Sequence, residues 1–268
     1  MLYGAIFGDV VGSIYEWDNI KTKDFELFDE DSFFTDDTVM SIAVACALSE
    51  NKNSRDNFLL GTRAIKWMKL LGREYPDAGY GSHFGMWLNE DMPQPYNSWG
   101  NGAAMRISPV AYFAKTLDEV KELSFRVTAV SHNHPEGIKG AEATAMAIFL
   151  ALQGKSKEEI KEYIVQNYYP INFTLDKIRP FYVFRSSCQE TVPQALQAFF
   201  ESESFEDAIR NAISIGGDSD TIAAITGSVA EAYYGVPDNI KEFVRGKLDD
   251  NLREKLQEIE AKYGTKAA

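Results

Sequence analysis

The stretch "TDDTVMSIAVACALSE", beginning at Thr35, restricts the fold more than any other part of the chain. Read as a helix, it is apolar on almost its whole circumference, so it has to be surrounded by other elements. It also opens on two adjacent aspartates, Asp36 and Asp37, whose like charges repel at the edge of an apolar run. Two explanations are open. Aspartate and threonine are good N-caps and suit the positive end of a helix dipole. Alternatively a bound cation holds the pair, which requires a second carboxylate cluster to complete the site.

The rest of the sequence supplies helices to surround this one. In "LYGAIFGDVVGSIYEW", Gly4, Gly8 and Gly12 recur every fourth residue and would form a bare stripe for close backbone packing on one helix face. So many glycines weaken an isolated helix, so tertiary contacts must hold it. "SKEEIKEYIVQNYY" opens with a capping box, Ser156 and Glu159. "SFEDAIRNAISI" starts at a candidate N-cap, Ser204, and "SDTIAAITGSVAEAYYG" stops at Gly235 ahead of Pro237. Helical periodicity also runs through "RDNFLLGTRAIKWMKLL", "LDEVKELSFRVTAVSH" and "GIKGAEATAMAIFLALQG". Period-two strand patterns are missing. The spacing predicts an all-α, compact multi-helix fold, with residues 1–268 as a single domain. Residues 73–102, rich in Gly, Pro, Tyr and Trp, are expected to form a binding loop.

Composition narrows the function classes. A chain of 268 residues that is 45% hydrophobic can bury a large core. Its net charge of -13 argues against nucleic acid and anionic membrane, both of which need a basic footprint. The first residues have no basic leader and are interrupted by Asp9, so a signal peptide is not expected. The apolar run 138–152 contains Lys139 and Glu142 and is too short to cross a bilayer. Cys46 and Cys188 read as buried thiols, and a cytoplasmic setting is expected.

The second carboxylate cluster is "GGDSDTIAAITGS", where Asp218, Asp220 and Thr221 open another apolar helix. Four carboxylates beside buried helices raise one another's pKa unless a cation neutralises them. No Cys/His set suggests zinc, and an all-oxygen donor set suits Mg²⁺ or Mn²⁺. Capping remains open for either cluster taken alone.

Taken together, "GAIFGDVVGSIYE", "FTDDTVMS", "AGYGSHF", "SWGNGAAMRISPV", "SHNHPEG" and "ISIGGDSDTIAAITGSVAEAYYG" make the chain resemble the ADP-ribosylglycohydrolase family. The blocks run in the family's order from near the start to Gly235. The resemblance implies a compact, orthogonal all-α fold with two divalent ions, Mg²⁺ or Mn²⁺, in a cleft for ADP-ribose. By position it makes Thr35, Asp36, Asp37, Asp218, Asp220 and Thr221 the metal ligands. Glu16 and Asp37 become the candidate proton-transfer groups. Ser98, Trp99, Gly100 and Asn101 would wrap the diphosphate and nearby ribose, and His132 would sit beside them. Glu16 otherwise reads as a solvated helix end, and His83 and His134 as loop residues. Arg106 would either neutralise phosphate or pair with the acidic core.

The implied activity is hydrolysis of the glycosidic bond between ADP-ribose and a modified protein side chain, with arginine favoured slightly over serine. Asp9 either helps to hold a cationic leaving group or is a buried partner of a neighbouring helix. The alternatives are a related metal-dependent hydrolase of another ADP-ribosyl or phosphoryl compound, and a non-enzymatic, crystallin-like relative. The segment 168–187 matches the family poorly and is expected to supply adenine-side or target-side contacts.

Overall fold

The computed structural model describes residues 1–52 and 57–263. Among them the chain forms α1 (Tyr3–Ser13), α2 (Asp36–Asn51), α3 (Leu60–Glu74), α4 (Ser82–Asn89), α5 (Gly102–Met105) and α6 (Pro109–Phe113). It continues as α7 (Leu117–Thr128), α8 (Pro135–Leu152), α9 (Lys157–Asn167), α10 (Leu175–Ile178) and α11 (Cys188–Phe200). The last four are α12 (Phe205–Ser214), α13 (Ser219–Tyr234), α14 (Asp238–Lys247) and α15 (Asp250–Tyr263). The described residues contain no strand, only an isolated antiparallel bridge between Gly100 and Ser187. The all-α expectation holds.

The two helices that were apolar all round are the interior ones. α2 is buried from Asp37 to Leu48, and α13 from Ser219 to Ala230. The glycine stripe of α1 explains how a third helix reaches them. A Cβ added at Gly4 would lie 2.1 Å from the Gly227 carbonyl oxygen, and one at Gly8 would lie 2.1 Å from that of Ala223. At Gly12 it would meet the Asp220 Cα at 2.5 Å. α1 and α13 therefore touch backbone to backbone, which only residues without a side chain permit.

The helix boundaries follow local chemistry. The Ser156–Glu159 capping box forms at α9, and the Ser204 hydroxyl accepts from the Asp207 N–H at α12. Gly235, with φ of 76°, ends α13. In α3 the helical pattern began at Arg55, which with Asp56 lies outside the described residues.

Two expectations change. The stretch 73–102 is not wholly a loop, because it contains the eight residues of α4. Phe84, Trp87 and Leu88 share one face of that helix and are buried, with the Phe84 and Trp87 rings stacked 5.2 Å apart. The apolar spacing of three and four outweighs the flanking turn residues. Second, α1 stops at Ser13, so Glu16 lies in the following turn rather than at the end of the helix.

Candidate active site

Residues from the two helix starts, the turn after α1, the loop before α5 and the loop between α7 and α8 line one cleft of about 500 Å³. Glu16, Asp36, Asp37, Asp218, Asp220 and Thr221 are all on its surface. At α2 the capping is done by groups other than the Asp36 and Asp37 side chains. Thr35 is the N-cap, and its hydroxyl accepts from the Asp37 N–H at 3.3 Å. The Asp36 N–H donates to the Ala78 carbonyl at 2.7 Å, and Asp9, fully buried on α1, takes the donors of Thr35 and Thr38. It accepts from the Thr35 N–H (2.9 Å), the Thr35 hydroxyl (2.7 Å), the Thr38 N–H (3.0 Å) and the Thr38 hydroxyl. Asp9 does not line the cleft, so it is the buried partner of a neighbouring helix and not a holder of the leaving group.

With those donors occupied, the Asp36 and Asp37 side chains are released from capping. Asp37 Oδ2 accepts from the Thr221 hydroxyl of α13 at 3.2 Å, whereas Oδ1 is buried without a hydrogen-bond partner. The second cluster behaves alike. Asp218 stands at the N-cap position of α13 but makes no capping bond, accepting instead from the Asn101 side-chain amide at 2.7 Å. Asn101, assigned from sequence to the diphosphate loop, also ties that loop to the carboxylates.

The carboxylates are close enough to share a cation. Oxygens of Asp9, Asp37 and Asp220 lie within 4.8 Å of one another, and so do those of Glu16, Asp218 and Asp220. Asp36 lines the cleft beside these groups without being part of either. Burial, and after it the charge of Asp220, drives the carboxyls of Asp36 and Asp37 well above the usual range. Asp220 is raised in the same way by burial and by Asp218, and Glu16 is pushed up to about 7 by burial and by Asp220. An oxygen-only donor set, an unpaired buried carboxylate oxygen and this mutual repulsion are what a hard divalent cation would relieve. The residues present fit such a group.

The loop ahead of α5 is braced from behind. The Asn101 N–H donates to the Ser186 carbonyl at 2.8 Å, and the Cys188 N–H donates to that of Trp99 at 2.9 Å. Ser98, Gly100 and Asn101 face the cleft. Trp99 does not line it, because its ring packs edge-on against His134 at 5.2 Å. His134 in turn caps α8, its Nδ1 accepting from the Glu136 N–H at 3.1 Å.

His132 lines the cleft and is held neutral, its pKa lowered well below the ordinary value by burial and by Arg106. An arginine has no acceptor, so the 3.2 Å contact from Arg106 Nη2 makes His132 Nδ1 the acceptor. The ring proton is thereby assigned to Nε2, which faces Gly100 and Gly102; a Cβ at Gly102 would lie 3.3 Å from it. Arg106 is 1% exposed, also donates to the Ser131 hydroxyl at 2.7 Å, and packs over the Phe84 ring. Among the described residues no carboxylate pairs with it, so of its two alternatives the ion pair with the acidic core does not form.

One residue of this region carried no sequence signal. The Asn19 amide donates to the carbonyls of Tyr15 (2.7 Å), Glu16 (2.9 Å) and Gly217 (2.9 Å), and its oxygen accepts from the Gly217 N–H at 2.7 Å. It fastens the Glu16 turn to the residue before Asp218, across 198 positions of sequence. Gly217, with φ of 84°, gives the turn the left-handed backbone that this approach requires.

A helical scaffold brings two acidic helix starts together over one cleft, where their carboxylates could hold a metal ion. The family model described as ADP-ribosylglycohydrolase matches residues 1–267. The chain belongs to the ADP-ribosylglycohydrolase family, and so to the hydrolases of ADP-ribosyl linkages. It is similar to the ADP-ribosylarginine hydrolase Tri1 of Pseudomonas putida (strain GB-1), at 29% identity over 91% of this chain and 72% of the relative. It is also similar to the ADP-ribosylhydrolase ARH3 of Homo sapiens, at 26% identity over 94% of this chain and 90% of the relative. A solved ADP-ribosylglycohydrolase-related protein complex shares the fold, with a TM-score of 0.66 over 96% of this chain and 93% of that one, at 23% identity.

Proposed function

We propose that the chain, acting as a single domain in the cytoplasm, is a metal-dependent hydrolase. It would cleave the bond between C1 of the distal ribose of ADP-ribose and a modified protein side chain, preferring arginine to serine. The observation that carries this reading is the meeting of two acidic helix starts at one cleft, with Asp37 Oδ1 buried and unpaired. Thr35, Asp36, Asp37, Asp218, Asp220 and Thr221 would hold two ions, Mg²⁺ or Mn²⁺. Bound there, the ions would neutralise the clustered charge and polarise the oxygens of ribose and water.

The chain's own residues account for the rest. Bond cleavage passes through an oxocarbenium-like state, in which water adds to C1 as the side-chain atom departs. Glu16 reaches the cleft from a turn fixed by Asn19, and its carboxyl lies near neutrality while its neighbours are unneutralised. Cations beside Asp220 would lower it again, leaving a carboxylate able to take the proton from water. Asp37 is the second candidate for this proton. The backbone of residues 98–101 and the Nε2–H of His132 offer donors to a diphosphate. Metal-free carboxylates would repel that group, so substrate and cations are expected to bind together.

The preference for arginine is supported by similarity to the Pseudomonas putida ADP-ribosylarginine hydrolase, at 29% identity. It is also supported by Asp77, a carboxylate lining the cleft outside the proposed metal ligands, which suits a cationic leaving group. The test compares ADP-ribose release from two peptides, one modified at a single arginine and one at a single serine. Faster release from arginine is expected. Faster release from serine would reverse the preference without touching the metal centre, and release from neither would overturn the hydrolase reading.

A further inference from the structure

Three large apolar side chains remain in water at the edge of this cleft. Trp17 is 80% exposed, Phe33 55% and Phe184 38%, and all three line it. Trp17 and Phe184 come from segments far apart in sequence, yet their rings stack at 5.2 Å and an interplanar angle of 17°. Phe33 belongs to the same edge, because its N–H donates to the Ser13 hydroxyl at the end of α1, just before the turn that carries Trp17. Phe181 and Val183, beside Phe184 in sequence, are 82% and 52% exposed. Scattered exposed apolar residues need no explanation, but a cluster gathered at the mouth of a binding cleft marks an interaction surface. Aromatic side chains are also enriched among the anchors of such surfaces.

Charge selects the occupant. The exposed carboxylate of Asp77 lines the cleft, and Asp18, also exposed, follows Trp17 in the chain. Among the described residues the one arginine or lysine lining the cleft is the buried Arg106; beside Phe184, Arg185 is paired with Glu190 at 3.1 Å, and the Lys21 amine donates to the Tyr182 and Ile215 carbonyls. An anionic partner would meet counter-charge already taken by these bonds, whereas a basic polypeptide would meet the carboxylates. We propose that Trp17, Phe33 and Phe184 dock the polypeptide flanking the modified side chain, selecting targets with apolar and basic residues next to the modification. The inference rests on the hydrolase reading above, since it assigns the target-side face of the same cleft.

The test uses the full chain with its metal and two kinds of substrate. One is a single ADP-ribosylated amino acid. The other is a peptide carrying the same modification, made in a version flanked by Leu and Lys and in a version flanked by Gly and Asp. For the Phe184→Ala and Phe33→Ala variants, kcat/KM on the basic peptide relative to the single amino acid is expected to fall about tenfold, mainly through KM. The preference for basic over acidic flanks should shrink with it. An unchanged ratio would overturn the proposal. An equal fall on both substrates would also overturn it, because the rim would then serve ADP-ribose itself, for example by stacking its base. Loss of a dimer in sedimentation, with the ratio unmoved, would make the rim an interface between copies instead. If the wild-type protein hydrolyses none of the substrates, the functional reading falls and this assignment falls with it.

Discussion

Asp220→Asn is expected to reduce ADP-ribose release by roughly 10²- to 10³-fold, the scale seen when a group that stabilises developing charge is removed. The substitution keeps shape and volume but takes one charge from the point where both carboxylate groupings meet, since Asp220 belongs to each. The fold should survive. Asp220 is buried, and burial together with its neighbours raises its carboxyl, so the metal-free native state carries the strain of clustered carboxylates. Removing one relieves that strain, and the metal-free variant should melt at the same temperature as wild type or higher. Asp36→Asn should behave similarly, as the Asp36 carboxyl is raised by burial and then by Asp220 and carries no capping bond. Variants that unfold would favour a structural role for the cluster, and variants with wild-type rates would remove the metal assignment.

The largest stability effect is expected at the α1–α13 contact. Gly8→Ala would place a methyl group 2.1 Å from the Ala223 carbonyl oxygen and 2.6 Å from the Ala224 nitrogen. These are backbone atoms of a buried helix and cannot rotate aside. Overpacking of this kind costs about 3 kcal/mol or more, which for a chain this size lowers the melting temperature by roughly 5–10 °C. The damage should reach the site, because the same helix pair sets Gly12 against the Asp220 backbone. Thermal melting checks it. A change below about 0.5 kcal/mol, the range of ordinary surface substitutions, would mean that the two helices are not in contact at this point.

Much of this was legible in the sequence because the signals are local. The apolar circumference of α2 and α13, the caps at Ser156 and Ser204 and the stop at Gly235 depend on neighbours within one or two turns. The glycine stripe of α1 announced a close contact, although not its partner. The acidic clusters were legible as clusters, but their freedom from capping was not. That depended on Asp9 taking the Thr35 and Thr38 donors, a contact across 26 and 29 positions. Asn19 was invisible for the same reason, since its role exists only where the turn after α1 meets Gly217. α4 was missed because flanking Gly, Pro and Tyr residues hid an eight-residue helix whose apolar face is three side chains. Trp99 was placed with its neighbours by the family resemblance, whereas its ring packs on His134 and does not line the cleft.

The central claim is that the two acidic helix starts hold divalent cations, and calorimetric titration of Mn²⁺ into chelator-treated protein tests it most directly. The native carboxyls are raised above their unfolded values, so the metal-free native state binds more protons than the unfolded chain. Its stability is therefore greatest in acid and declines as pH rises through the native pKa values. Protons and cations compete for the same oxygens, so Mn²⁺ should bind more tightly at pH 8 than at about pH 5.5. The account predicts two ions per chain at pH 8, weaker binding in acid, and loss of at least one site in Asp220→Asn. No saturable heat at either pH, with ADP-ribose release undiminished by the chelator, would contradict it.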